Sequence, residues 1–358
     1  MKILHITNCL RGGGIQNFLL SLLSEQVKLG YDVALIVIEK DDYEYSLHLE
    51  NILKKSGVRI YRLKKKRSSK FSFLKTLFAC RKVTQAYCPN IVNTHGEMSH
   101  IYGAFATMMS SMPHCITVHN APEYWDRINK ILNSNKPLIY CSDSAYELRT
   151  QKNKDIIAIN NGISSSISKS ESTVDLRKEL NLLLTDKIIV SVGSLRPQKN
   201  YDFLKDIVDE LKDSSVHFCI CGGNYGSGYI NIELFKNYPT IHFLGLRSDV
   251  AAIQNASDVF LSCATFEGLP IAVLEAFLNG IPCVLSPIVQ HQKIAEDVAS
   301  CIIPKEFTAK AFVDALETVL LDTQSHKAIS EQRIFCINKF SIAHTAKQYI
   351  EFYMRFVR

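Results

Sequence analysis

Glu267 and Glu275 are two acids eight positions apart in the run Asp258-Val-Phe-Leu-Ser-Cys-Ala-Thr-Phe-Glu-Gly-Leu-Pro-Ile-Ala-Val-Leu-Glu-Ala-Phe-Leu-Asn-Gly-Ile-Pro-Cys-Val-Leu-Ser286. Val259 to Ser262 is a short apolar run and reads as a buried strand. Glu267-Gly268-Leu269-Pro270 breaks it, and Ile271 to Leu278 reads as a helix, with Pro270 suited to the first turn, where a missing N–H costs nothing. Gly280 and Pro282 stop that helix, and Val284-Leu285 starts the next strand. The helix N-terminus therefore opens at the end of a parallel strand, where open α/β sheets bind ligands and free N–H groups favour an anion. At about 1.5 Å per residue, Glu275 lies roughly 7–8 Å down the helix from Pro270. One acid can touch the head of an elongated ligand while the other reaches a second group. Taken alone, the pair also fits a helix-surface acid and a cap-like acid favoured by the helix dipole.

Two cations have a comparable setting. Arg196 and Lys199 lie between a strand predicted over Lys187–Gly193 and a helix predicted over Tyr201–Leu211. Such a pair can grip a diphosphate, and it can equally be a solvated charged loop. His95 and His119 close the runs Asn90-Ile-Val-Asn-Thr-His-Gly96 and Cys115-Ile-Thr-Val-His-Asn120. A histidine at the carboxyl end of a parallel strand faces the ligand side of its sheet, though a single histidine is more often structural. Near the start, the strand Lys2–Thr7 leads through Arg11-Gly-Gly-Gly14 into a helix over Ile15–Leu29 and a second strand over Val33–Ile38. Gly13 and Gly14 let the backbone approach a phosphate. A dinucleotide site is the rival there, with Glu39 at the end of the second strand, but the third position of a G-x-G-x-x-G pattern is Asn17.

These pieces together closely resemble the family 4 glycosyltransferases, retaining enzymes of the GT-B fold. The block from Ala256 to Val284 carries the E-x7-E signature, Lys187 to Asn200 resembles the family's strand–Gly–Arg–Lys-Asn motif, and the N-T-H-G and T-V-H-N runs resemble its two histidine-bearing strands. The Gly-rich loop resembles the one that faces the donor diphosphate, and Asn161-Gly162-Ile163 resembles the domain junction. The resemblance implies an α/β fold of two Rossmann-like domains facing across a cleft. An N-terminal acceptor domain is expected over 1–162 with a C-terminal helix over 341–358 crossing back onto it, and a nucleotide-sugar donor domain over 163–340. It implies that Glu267 contacts donor-sugar hydroxyls, Glu275 holds the ribose, and His119 sits beside the anomeric centre, with Glu267 and His119 as the catalytic residues. Gly13, Gly14, Arg196, Lys199 and the turn Gly268-Leu269-Pro270 are implied to bind the donor diphosphate. No metal and no cofactor is expected, and no Asp-x-Asp motif occurs. One departure stands out: many relatives follow the last strand with a Gly-Gly turn and a Glu, where this chain has Pro287-Ile-Val-Gln-His-Gln292.

Composition sets the remaining bounds. At 358 residues with 47% hydrophobic and 21% charged residues, the chain is long enough for two medium domains. No apolar run is long enough to span a bilayer, and Met1–Leu10 is too short for a signal peptide, so a cytoplasmic protein is expected. Eleven cysteines without a C-x-x-C pair read as reduced, buried thiols. The net charge of +6 is uneven: residues 51–96 hold twelve Lys/Arg and no acid. Such a block implies an anionic partner or a solvated face. Within it, Lys64, Lys65, Lys66 and Arg67 precede Phe71-Ser-Phe-Leu-Lys-Thr-Leu-Phe78, whose apolar residues 71, 74, 77 and 78 give an amphipathic helix. A membrane-surface helix and a core-facing helix with a basic flank both fit.

The favoured expectation is transfer of a hexose-type sugar from a nucleotide-sugar, UDP being the commonest nucleotide in the family. The acceptor is a glycan, expected to be polyprenyl-diphosphate-linked, at an anionic membrane surface on the inner face, and no nucleic acid is involved. The competing readings are a non-catalytic sugar-nucleotide or membrane-binding module, a glycoside hydrolase using the paired carboxylates, and an NAD-dependent enzyme.

Overall fold

The computed structural model describes residues 1–11, 13–40, 43–66, 70–120, 125–164, 174–224, 228–296, 298–321 and 326–357. Gly12, Arg67 and most of the Ser-rich stretch after Ile163 lie outside them. The chain divides into one unit of Met1–Gly162 with Ile342–Arg358 and another of Ile163–Ser341.

The first unit is a seven-stranded parallel sheet of β1 (Lys2–Thr7), β2 (Asp32–Glu39), β3 (Arg59–Lys65), β4 (Ile91–His95), β5 (His114–Val118), β6 (Leu138–Tyr140) and β7 (Ile156–Ala158), in the order β3-β2-β1-β4-β5-β6-β7. All residues of β4 and β5 are buried, as are all of β1 after Lys2, which is how strands covered on both faces by crossover helices behave. Helices α1 (Gly14–Lys28), α2 (Glu44–Lys55), α3 (Lys70–Tyr87), α4 (Glu97–Thr107), α5 (Arg127–Asn133) and α6 (Asp143–Glu147) link them. The order reverses between β1 and β4, so the loops that leave these strands meet at the switch point.

The second unit is a six-stranded parallel sheet ordered β10-β9-β8-β11-β12-β13. Its strands are β8 (Lys187–Val192), β9 (Val216–Cys221), β10 (Ile241–Gly245), β11 (Val259–Ser262), β12 (Cys283–Leu285) and β13 (Cys301–Ile302). Its helices are α7 (Leu176–Leu180), α8 (Phe203–Leu211), α9 (Val250–Asn255), α10 (Ile271–Asn279), α11 (Val289–Ala295), α12 (Ala309–Leu321) and α13 (His326–Lys339). Here the switch point lies between β8 and β11. Gly280 ends α10 in the left-handed region at φ 72°, as its position in the sequence predicts.

The last helix, α14 (Ile342–Met354), returns to the first unit as expected. Ala346, Tyr349, Phe352 and Tyr353 pack with Phe18, Leu19, Leu22 and Leu23 of α1, and the Asn93 amide donates to the Tyr353 hydroxyl at 2.5 Å. Gly162 makes the crossing possible: a Cβ there would lie 2.5 Å from the Ile342 Cα.

Two local expectations need correction. β3 runs on to Lys65, so Lys64 and Lys65 belong to a strand rather than to a helix flank, with Lys64 at φ 54° where the pairing with β2 shifts register. In α3 the residues 71, 74, 77 and 78 do not share one environment. Leu77 turns into the core with Cys80 and Tyr87, whereas Phe71, Leu74 and Phe78 are 81%, 56% and 64% exposed.

Candidate functional site

In the second unit, three turns leave the carboxyl ends of neighbouring strands. β8 pairs with β11 and β11 with β12, so the turns at Gly193–Lys199, Cys263–Pro270 and Ser286–Ile288 lie side by side. They are also bonded to one another. Thr265 N–H donates to the Gln198 carbonyl at 2.9 Å, and the Ser286 hydroxyl donates to the Ala264 carbonyl at 2.6 Å.

Lys199 crosses the first turn close to the backbone, and a Cβ on Gly193 would come within 2.7 Å of its Cε. Its ammonium meets the Glu267 carboxylate at 2.5 Å, with side-chain exposures of 18% and 8%. Separate partners were expected for these two residues; folded, they are partners of each other. Charges brought together this far from water interact strongly, and removing one strands the other. Arg196 stands apart from the pair. It is exposed, its Nε donates to the Tyr229 hydroxyl at 3.2 Å, and its guanidinium lies 5.5 Å from that ring's centre.

Gly268, Leu269 and Pro270 lead into α10, whose N-terminus has Pro270 as its cap residue and no side-chain cap bond. The second acid, Glu275, is inside α10 and 6% exposed, as is Glu267. Both acids are therefore buried rather than solvated, which excludes the reading of Glu275 as a helix-surface residue.

The segment that replaces the Gly-Gly turn, to which no role was assigned from the sequence, places His291 of α11 in this region, fully buried. Its Nδ1 lies 3.0 Å from the Ser286 carbonyl and 3.1 Å from the Ser286 hydroxyl. Burial pushes its pKa down to about 4, and the charges of Glu267 and Lys199 act on it in opposite directions. The only advance sign was the departure from the family pattern itself.

In the first unit, His119 follows β5 and is the end of a chain of buried side chains. Its Nε2 lies 3.1 Å from His95 Nδ1, His95 Nε2 lies 2.9 Å from His5 Nδ1, and His5 Nε2 lies 2.8 Å from Gln26 Oε1. Burial lowers the pKa of His5 to about 4 and of His119 to about 3, and holds His95 well below its usual value. The array is neutral at ordinary pH. Because each neutral ring has one donor and one acceptor nitrogen, all three must point the same way. With the Gln26 oxygen toward His5, every ring donates from Nε2 and His119 Nδ1 is left as an acceptor. His5 and Gln26 were not singled out from the sequence; a histidine inside an apolar strand run is the signal that could have found the first.

Gly13 and Gly14 stand at the start of α1, with Gly13 as cap residue and no acid in the first turn. Glu39, the residue on which a dinucleotide reading depends, is bonded to Arg11 at 2.9 Å. Its carboxylate is thus already engaged within the protein. Lys64 and Lys66 are exposed and Lys65 is partly so, while Arg67 lies outside the described residues. All eleven cysteines are free. Among the described residues no group of three or more His, Cys, Asp or Glu is arranged to hold a metal ion, and no helix is long and apolar enough to cross a membrane.

Two family models match the chain. That described as Glycosyltransferase Family 4 covers residues 12–166, and that described as Glycosyl transferases group 1 covers residues 173–334. Among curated proteins, the chain is 26% identical to the UDP-Gal:alpha-D-GlcNAc-diphosphoundecaprenol alpha-1,3-galactosyltransferase of Escherichia coli, over 79% of this chain and 80% of that protein. It is 21% identical to the N,N'-diacetylbacillosaminyl-diphospho-undecaprenol alpha-1,3-N-acetylgalactosaminyltransferase of Campylobacter jejuni, over 97% of each. Among solved structures, Anabaena Alr3699/HepE in complex with UDP and glucose superposes with a TM-score of 0.80 at 17% identity, over 98% of both chains.

Proposed function

We propose that this chain, which belongs to the family 4 glycosyltransferases, moves a hexose-type sugar from UDP to a polyprenyl-diphosphate-linked glycan with retention of anomeric configuration. The observation that carries the donor side is the buried Lys199–Glu267 pair, set beside the uncapped N-terminus of α10 at the switch point of the second unit. As the donor bond breaks, negative charge grows on the leaving diphosphate. A fixed ammonium and preorganised backbone N–H groups stabilise that charge more in the transition state than before it. Lys199, Arg196 and the N-terminus of α10 that follows the turn Gly268-Leu269-Pro270 take this role. Glu267, relieved of part of its bond to Lys199 when the diphosphate arrives, turns its oxygens to the sugar hydroxyls. Glu275, one helical stretch further in, holds the ribose.

For Gly13, Gly14 and His119 of the first unit we propose the roles that the family resemblance implies. That unit is assigned the acceptor. The reading is supported by relatives whose names specify diphosphoundecaprenol acceptors and by the exposed cations Lys64 and Lys66. Arg67 is included with Lys64, Lys65 and Lys66 as a basic stretch facing an anionic membrane surface. Attachment there would be peripheral, on the cytoplasmic face.

The test is a panel of UDP-sugars and GDP-sugars incubated with the protein, with and without a polyprenyl-diphosphate-linked N-acetylglucosamine, and read by mass spectrometry. One UDP-hexose type consumed, and transferred to the lipid acceptor, is the expected result. Consumption of GDP-sugars alone, or of none, contradicts it.

A further inference from the structure

The segment that departs from the family pattern supplies a specific chemical group. His291 is fully buried, and its Nδ1 lies 3.0 Å from the Ser286 carbonyl. A carbonyl oxygen only accepts, so Nδ1 carries the proton and Nε2 carries a lone pair. That Nε2 is buried and has no hydrogen-bond partner among the described residues. A buried acceptor without a donor is unfavourable unless a ligand or an ordered water supplies one.

The surroundings favour a ligand. His291 is tied through Ser286 to Ala264, three residues before Glu267, and Thr265 of the same turn is tied to Gln198, beside Lys199. The charges of both Glu267 and Lys199 are felt at its ring, and burial keeps that ring neutral at ordinary pH.

We propose that His291 is a specificity-determining residue of the donor site, its Nε2 accepting a hydrogen bond from a hydroxyl of the transferred sugar. The inference rests on the donor assignment made above. Glu267 also only accepts when ionised, so the two side chains together would read two hydroxyl donors. A sugar lacking a hydroxyl at the His291 position leaves a buried acceptor unpaired, and this is how a site rejects an analogue. The diphosphate and nucleoside make no use of this nitrogen.

His291→Asn separates the two ring nitrogens, because the asparagine amide can still donate to the Ser286 carbonyl but has nothing at the Nε2 position. Calorimetry would compare UDP with UDP-glucose, UDP-galactose and their N-acetyl derivatives. Wild type should bind UDP and at least one UDP-sugar. The variant should bind UDP as wild type does and its preferred UDP-sugar about tenfold more weakly, the loss of one hydrogen bond. His291→Gln, whose side-chain oxygen reaches the Nε2 position, should recover most of that loss. A measurement that needs no variant is the nitrogen-15 shift of the unprotonated histidine nitrogen, expected to move on adding the UDP-sugar and not on adding UDP. Equal weakening for UDP and UDP-sugar, no weakening for either, or a nitrogen shift indifferent to the sugar would overturn the assignment and leave a water as the partner. If wild type binds none of these molecules, the donor reading itself fails and this inference falls with it.

Discussion

Lys199 has two claims on its ammonium: Glu267 at 2.5 Å and, in the proposed reaction, the leaving diphosphate. Lys199→Ala should lower turnover on the order of 10²-fold or more, since a contact strengthened in the transition state is lost. It should also destabilise the fold by up to about 3 kcal/mol, because Glu267 is left buried and unpaired. Adding Glu267→Gln should restore much of the stability and none of the activity, which urea unfolding and a turnover assay on the double variant would read. Full activity in a folded Lys199→Ala protein contradicts the assignment. The two acids should separate by ligand. Glu275→Ala is expected to weaken UDP binding, whereas Glu267→Ala should depress transfer with UDP affinity nearly intact; calorimetry showing equal loss in both would refute the division. At this scale the sequence was legible in residue types and silent on pairings. Lys199 and Glu267 are 68 positions apart and His5 and His95 are 90 apart, so their contacts follow only from the strand order that brings their turns together.

The buried histidines of the first unit act as a group. His5, His95, His100, His114 and His119 are all buried with pKa values pulled below 6.5, chiefly by burial. Below pH 6.5 the unfolded chain therefore binds protons that the folded chain refuses. Stability is full above about pH 6.5 and falls as the pH drops toward 4, by up to about 1.4 kcal/mol per pH unit for each such group. Urea midpoints at pH 7, 6 and 5 should fall steeply, and a flat profile would mean these rings are not buried neutral. The other element with a consequence is α3. Its hydrophobic residues were legible as a helix but not as two faces, because Leu77 and Phe78 are neighbours in sequence and opposite in environment. Phe71, Leu74 and Phe78 face outward near the exposed Lys64 and Lys66 in sequence, which suits a helix lying on an anionic bilayer. Replacing these three with Ser should leave the melting temperature within a few degrees and reduce co-sedimentation with anionic vesicles. Neutralising Lys64, Lys65, Lys66 and Arg67 should remove its salt dependence. Equal binding of wild type to neutral and anionic vesicles would make the stretch merely solvated.

For the whole molecule, two doubly wound units and a returning last helix were legible, because buried parallel strands read as continuous apolar runs and Gly280 marks a real helix end. The register of β3, the split faces of α3 and the role of His291 were not, since each depends on what packs against the segment. The central claim is the proposal that this chain carries out retaining transfer from a UDP-sugar to a lipid-linked acceptor. The most direct test is to incubate the purified protein with the UDP-sugar it consumes and polyprenyl-diphosphate-linked N-acetylglucosamine, and to determine the new glycosidic linkage by NMR. The account predicts a disaccharide on the lipid whose new bond has the same anomeric configuration as the UDP-sugar. An inverted linkage, or release of free sugar with none on the lipid, would contradict it.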